Sequence, residues 1–167
     1  AGGEINEKEA TAIDDAGIQE KTTVFLVSDH GFISIPKTVR PNVLLRQAIS
    51  QAIDRETIIN NVFNGTREPA TGWVSPVVNG YKSGVCGKFC NFDPTKAKEY
   101  LDKAGGFDGK LTLAYNADGG HKGWVDATCV SITNALGVEC VGKPVPDFAT
   151  FRTEVVDKNM TGMFRTG

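Results

Sequence analysis

The chain has 167 residues, 40% of them apolar, with 18 basic and 20 acidic side chains and a formal net charge of −2. That apolar fraction at so small a net charge excludes a disordered polyelectrolyte. With no basic block, the electrostatic case for binding nucleic acid or an anionic membrane surface falls away. No apolar run nears the roughly 20 residues of a spanning helix; the longest, Val24-Phe25-Leu26-Val27, is strand-sized, and the composition predicts one soluble globular domain.

Residues 1–20 are acidic, with Ile5, Ile13 and Ile18 as sparse anchors, and read as a lead-in segment. Strand signals follow at 22–27 and 32–35, around the turn-like Ser28-Asp29-His30-Gly31. From Asn42 the period becomes helical, with Leu44, Leu45, Ala48, Ile49, Ala52 and Ile53 in one stripe. Asp54 predicts a cap for a second helix carrying Ile58, Ile59, Val62 and Phe63, ended by Asn64-Gly65. Residues 66–92, rich in Gly and Pro and without periodicity, read as one long loop, and a loop of that length in a compact domain is more often functional than idle.

Asp93-Pro94 reads as an N-cap with Pro at the first helical position, opening a helix through Tyr100 and Leu101 that Gly105-Gly106 stops. The alternation of Leu111, Leu113 and Tyr115 predicts a strand, and Trp124, Val125, Cys129, Ile132 and Leu136 a helix. A short strand is expected over Val138 to Val141. A helix capped by Asp147 follows, with Phe148, Phe151 and Val155 inward, and a last strand from about Thr161. Helices alternating with strands argue for an α/β layered lobe. No internal repeat is present. The opening Ala1-Gly2-Gly3-Glu4, without Met or leader, and the close on Met163-Phe164-Arg165-Thr166-Gly167 both read as cuts in a longer protein.

Four cysteines stand at Cys86, Cys90, Cys129 and Cys140. Three connectivities are possible, and the local pairing, Cys86–Cys90 with Cys129–Cys140, is the most economical. The second bridge would staple a helix to the strand that follows it. Zinc fits poorly, because the second spacing is ten residues and neither His30 nor His121 closely flanks a cysteine. A redox pair would more naturally be C-x-x-C in a βαβ unit than Cys86-Gly-Lys-Phe-Cys90 in a Gly-rich loop. Structural disulfides place the protein outside the cytosol.

Asp54-Arg55-Glu56 resembles an acid/base cluster, but at a helix start acidic residues complement the dipole, and capping is the favoured role. Asp14-Asp15 reads as a solvated turn. No G-x-S-x-G, H-E-x-x-H or phosphate loop occurs, so catalysis has no positive argument. His121 and Lys122 follow a strand and the turn Asn116-Ala-Asp-Gly-Gly120 and begin a helix. Backbone N–H groups there, with a His and a Lys, could hold a carboxylate, although a surface turn with a helix cap is the plainer reading. Arg165, near the chain end, is either an edge-strand charge or an anion-binding residue.

At this point the residues resemble a family. Leu45-Arg46-Gln47-Ala48-Ile49-Ser50-Gln51-Ala52-Ile53-Asp54-Arg55-Glu56 is similar to the signature helix of the extracellular peptide-binding proteins of ABC importers, solute-binding protein family 5. Glu68-Pro69-Ala70-Thr71-Gly72 resembles its following loop, and Asn91-Phe92-Asp93-Pro94-Thr95-Lys96-Ala97-Lys98 its "YDPEKAK" helix start. Tyr115-Asn116 with His121-Lys122 resembles its "YN…HK" turn, and Met163 to Gly167 the run into a "GW" and a hinge Asp. The match covers roughly 39–167, with 1–38 as lead-in and strands, although Thr38-Val39-Arg40-Pro41-Asn42 departs from the usual "DxRVRQAI" lead. The cysteines look most like those of actinobacterial members.

The resemblance implies one lobe, the carboxyl-terminal substrate-binding one, of a two-lobed clamp. Its fold would be α/β, a mixed β-sheet flanked by helices in the type II periplasmic-binding-protein manner. Its function would be binding oligopeptides for import, without cofactor or metal. It would work as a monomer with the importer's membrane permease subunits, outside the cell on a lipid anchor or in the periplasm. Positions matching His121 and Arg165 can face the peptide's terminal carboxylate, and Asn116 and Gly167 complete the implied ligand-binding set. Binding of dipeptides, nickel chelates or another small solute is the alternative within the family. A thiol-disulfide protein using Cys86 and Cys90 is the alternative from another class.

Overall fold

The computed structural model describes residues 41–165. The lead-in, the strands expected at 22–27 and 32–35 and Gly167 lie outside the described residues. The elements in chain order are α1 (Pro41–Gln51), α2 (Arg55–Phe63), α3 (Pro94–Lys103), β1 (Leu111–Asn116), α4 (Lys122–Leu136), β2 (Cys140–Val145), α5 (Phe148–Val156) and β3 (Met163–Phe164). The strands form a parallel sheet in the order β2-β1-β3, with Leu111 opposite Cys140 and Leu113 opposite Met163. The architecture is α/β, a sheet flanked by helices. No helix among the described residues is long and apolar enough to cross a membrane.

Caps start the helices where the sequence signals them. Asp54, Asp93 and Asp147 each accept the backbone N–H three residues on, from Thr57, Lys96 and Thr150, at 2.8–3.0 Å. Asn64 and Gly65 take left-handed φ values of 50° and 68° and end α2. The charges of Asp54-Arg55-Glu56 serve structure. Arg55 donates to the carbonyls of Ser50, Ile53 and Cys90, tying the α1–α2 corner to the loop that carries Cys86 and Cys90.

The sheet is covered on both faces. On one, Leu111, Leu113 and Tyr115 pack with Val125, Cys129 and Ile132 of α4 and with Ala48, Ala97 and Leu101 of α1 and α3. On the other, Ala114 and Val145 pack with Phe151 of α5. Alternation in β1 therefore understates its burial, since Ala114 and Asn116 are as enclosed as their neighbours. Gly142 lets α4 approach; a Cβ there would stand 3.0 Å from Val125 Cγ1.

Two expectations are corrected. The strand expected at Val138 to Val141 begins at Cys140 and runs on to Val145 through Gly142 and Pro144. β1 is its one partner among the described strands, and on such an edge a proline need not remove a ladder bond. Phe148, expected inward, is 46% exposed.

The structure pairs Cys86 with Cys90 and Cys129 with Cys140, at Cα–Cα distances of 5.7 and 4.8 Å. Beside the second pair, Ser131 of α4 clamps the α1–α2 turn, donating to Ala52 O at 2.8 Å and accepting from Asp54 N at 2.9 Å. Ser131→Ala leaves both backbone groups without that partner and is expected to cost about 1–3 kcal/mol. Urea unfolding should show a lower midpoint at unchanged slope; an unchanged midpoint would mean that the clamp contributes nothing net.

Candidate functional site

The parallel sheet itself selects the place. From β1 the chain crosses through α4 to β2 on one side; from β2 it crosses back through α5 to β3 on the other. Right-handed crossovers running in opposite directions put their helices on opposite faces, as the two core clusters show. The connections after β1 and β2 diverge at the carboxyl ends of the strands, the edge at which open parallel sheets bind ligands. The residues after β1 (Asn116 to Lys122), after β2 (Asp147, Phe148) and after β3 (Arg165) all gather here.

A chain of hydrogen bonds joins the three. Asn116, 3% exposed, accepts from Arg165 Nε at 2.9 Å through Oδ1 and donates through Nδ2 to Asp118 Oδ1 at 2.6 Å. The other Asp118 oxygen accepts the Phe148 backbone N–H at 3.2 Å. Arg165 N in turn donates to Ala114 O at 3.0 Å, continuing the β1–β3 ladder. The guanidinium lies 5.6 Å from the centre of the Phe148 ring, a cation–π contact that holds a planar cation in place. The outward turn of Phe148 thus supplies a platform for Arg165. The bonds from Asn116 and from the Phe148 N–H hold the Asp118 carboxyl below its ordinary range, with His121 adding a smaller pull in the same direction.

His121 stands at the start of α4. Its Nδ1 accepts the indole N–H of Trp124 at 3.1 Å, and the rings meet edge-on. Burial first, and the Arg165 charge second, push its pKa below the ordinary imidazole value, with Asp118 opposing. The shift favours the uncharged ring, which offers hydrogen bonding, beside the Arg165 guanidinium. Lys122, beside it, pairs with Asp126 on the outer face of α4.

The structure thus brings three of the four expected ligand-binding residues, Asn116, His121 and Arg165, together at the carboxyl end of the sheet. The cysteines form two separate structural pairs. Sequence reasoning missed Asp118, Gly119, Trp124 and Phe148. Gly119 carried a signal, because its turn is Gly-rich, but its reason is contact and not φ. A Cβ there would collide with His121 Nε2 and stand 2.6 Å from Asn116 Nδ2. In the full-length protein, Gly119→Ala is therefore expected to displace both donors and weaken ligand binding about tenfold, the worth of roughly one hydrogen bond. Calorimetry checks this. Because Gly119 is exposed, the melting temperature should barely move, and a large drop in it would assign the residue to folding instead.

Comparisons with known proteins identify the family and the fold. The model of the bacterial extracellular solute-binding proteins, family 5 middle, matches residues 4–167. The oligopeptide-binding protein OppA of Bacillus subtilis is 33% identical over 106 residues, 59% of this chain and 19% of OppA. The solved periplasmic oligopeptide-binding protein of Borrelia burgdorferi superposes at a TM-score of 0.60 with 25% identity, over 71% of this chain and 24% of that one. The murein tripeptide-binding protein MppA of Escherichia coli shares the fold at a TM-score of 0.62 and 22% identity, over 76% of this chain and 26% of its own. The chain therefore spans about a fifth to a quarter of the lengths of the proteins it matches. Its match over residues 4–167 makes it a member of the bacterial extracellular solute-binding proteins, family 5.

Proposed function

We propose that the chain is one lobe of the substrate-binding component of an ABC importer, a binding protein and not an enzyme, taking oligopeptides for import. The observation that carries this reading is the convergence of Arg165, Asn116 and His121 at the carboxyl end of the sheet, a cation and neutral hydrogen-bonding groups suited to a terminal carboxylate. Relatives support the ligand class. OppA is named for oligopeptides, a Pseudomonas aeruginosa relative 34% identical over 86 residues for di- and tripeptides, and an Escherichia coli relative 37% identical over 90 residues for glutathione.

The whole protein, in this reading, is a monomer outside the cell, lipid-anchored or periplasmic, from an actinobacterium. It hands its ligand to membrane permease subunits. Gly167, expected in the ligand-binding set, lies outside the described residues and stays in that set as part of this reading. Mass spectrometry of the full-length protein as purified tests the ligand class. Release of peptides on denaturation is the expected result, and release of a metal chelate or another non-peptide solute instead would overturn it.

A further inference from the structure

The hydrogen bond between Trp124 and His121 decides more than the position of a ring. An indole N–H can only donate, so His121 Nδ1, which accepts it at 3.1 Å, must present a lone pair. The neutral imidazole then carries its proton on Nε2. That nitrogen lies over Gly119, close to the Asn116 amide, since a single Cβ on Gly119 would touch both. Protonating Nδ1 would set two donors against each other, so the Trp124 bond keeps the ring neutral, in the same direction as burial and the Arg165 charge. Trp124 also packs against the main core cluster, but packing needs its ring alone, which a phenylalanine would largely supply.

We infer that Trp124 is a positioning residue for anion capture: its indole N–H locks His121 in the Nε2–H form, leaving an imidazole that can only donate on the side of Asn116 and Arg165. A carboxylate is acceptor-only when ionised, so a one-sided donor beside a guanidinium suits it, and the wrong tautomer would turn a lone pair toward it. The inference rests on the peptide-carboxylate reading above and assigns the residue that sets the polarity of that site.

The test uses the full-length protein and alanine peptides of two to five residues, as free acids and as carboxamides. Calorimetry of Trp124→Phe should show free-acid binding weakened about five- to tenfold, the worth of one neutral hydrogen bond. Carboxamide binding should change by less than about twofold. Spectra of the protein with ¹⁵N-labelled imidazole rings, assigned by comparison with His121→Gln, should show Nε2 protonated and Nδ1 bare in the wild type, with an Nδ1–H population appearing in Trp124→Phe. His121→Gln carries an amide N–H near the Nε2 position without needing Trp124, so adding Trp124→Phe to it should change free-acid binding by no more than about twofold. An Nδ1–H ring in the wild type overturns the inference. So does an equal loss of both peptide forms in Trp124→Phe, or the same further loss in the His121→Gln background. A wild type that binds free acids and carboxamides equally, or neither, overturns the parent carboxylate reading together with the inference.

Discussion

Arg165→Ala in the full-length protein is expected to weaken binding of a free-acid peptide by about 2–5 kcal/mol, the cost of truncating one member of a desolvated charge pair. The guanidinium is a cation at the carboxyl end of the sheet, beside Asn116 and the Phe148 ring. Its orientation is built in through the bond from Nε to Asn116, the bond from Asn116 to Asp118, and the Phe148 ring beside it. Asn116 orients the arginine through a neutral carbonyl oxygen. Amidating the peptide should erase most of the difference between wild type and Arg165→Ala. His121→Ala should cost less, about 1 kcal/mol, as the loss of a neutral hydrogen bond. Calorimetry on the two forms of one peptide decides it: equal losses for both would mean that Arg165 supports the lobe and does not read the carboxylate.

The second large effect concerns stability. Joining Cys129 to Cys140 closes a loop with a sequence separation of 11, and loop-closure entropy puts the gain at about 3 kcal/mol. The bridge fixes the middle of α4 to the first residue of β2, so that the strand enters the sheet in register with Leu111. Cys129→Ala with Cys140→Ala should therefore lower the unfolding free energy by about that amount. Unfolding under reductant should cost the wild type this amount together with the contribution of Cys86–Cys90, and the double variant only the latter. The Cys86–Cys90 bridge, with a separation of 4, constrains the loop locally. Intact mass four hydrogens below the fully reduced value is expected with both bridges formed. Four free thiols, or a peptide map joining Cys86 to Cys129, would sink the pairing and the oxidising compartment it supports.

Much of this fold is determined within windows of a few residues. Asp54, Asp93 and Asp147 cap helices because a side-chain oxygen meets an N–H three residues on, wherever the rest of the chain goes. Asn64-Gly65 and Gly105-Gly106 stop helices through positive φ, another local property. The Cys pairs were legible because their separations are short. His121, Asn116 and Arg165 were visible as candidates only beside a family resemblance, since polarity alone does not tell a cap from a binding site.

The tertiary structure decided the rest. The Arg165–Asn116 and Asp118–Phe148 bonds span 49 and 30 residues. No periodicity reports them, because they exist only once the crossovers reverse across β1 and bring three strand ends together. The same reversal buries both faces of β1 and hides Asn116 in a strand whose alternation reads as one-sided. It also turns Phe148 outward beneath the guanidinium, where an amphipathic pattern had placed it in the core. Propensity and capping act along the chain and so can be read from sequence, whereas the site depends on which strand lies beside which, and packing of the sheet between α4 and α5 sets that order.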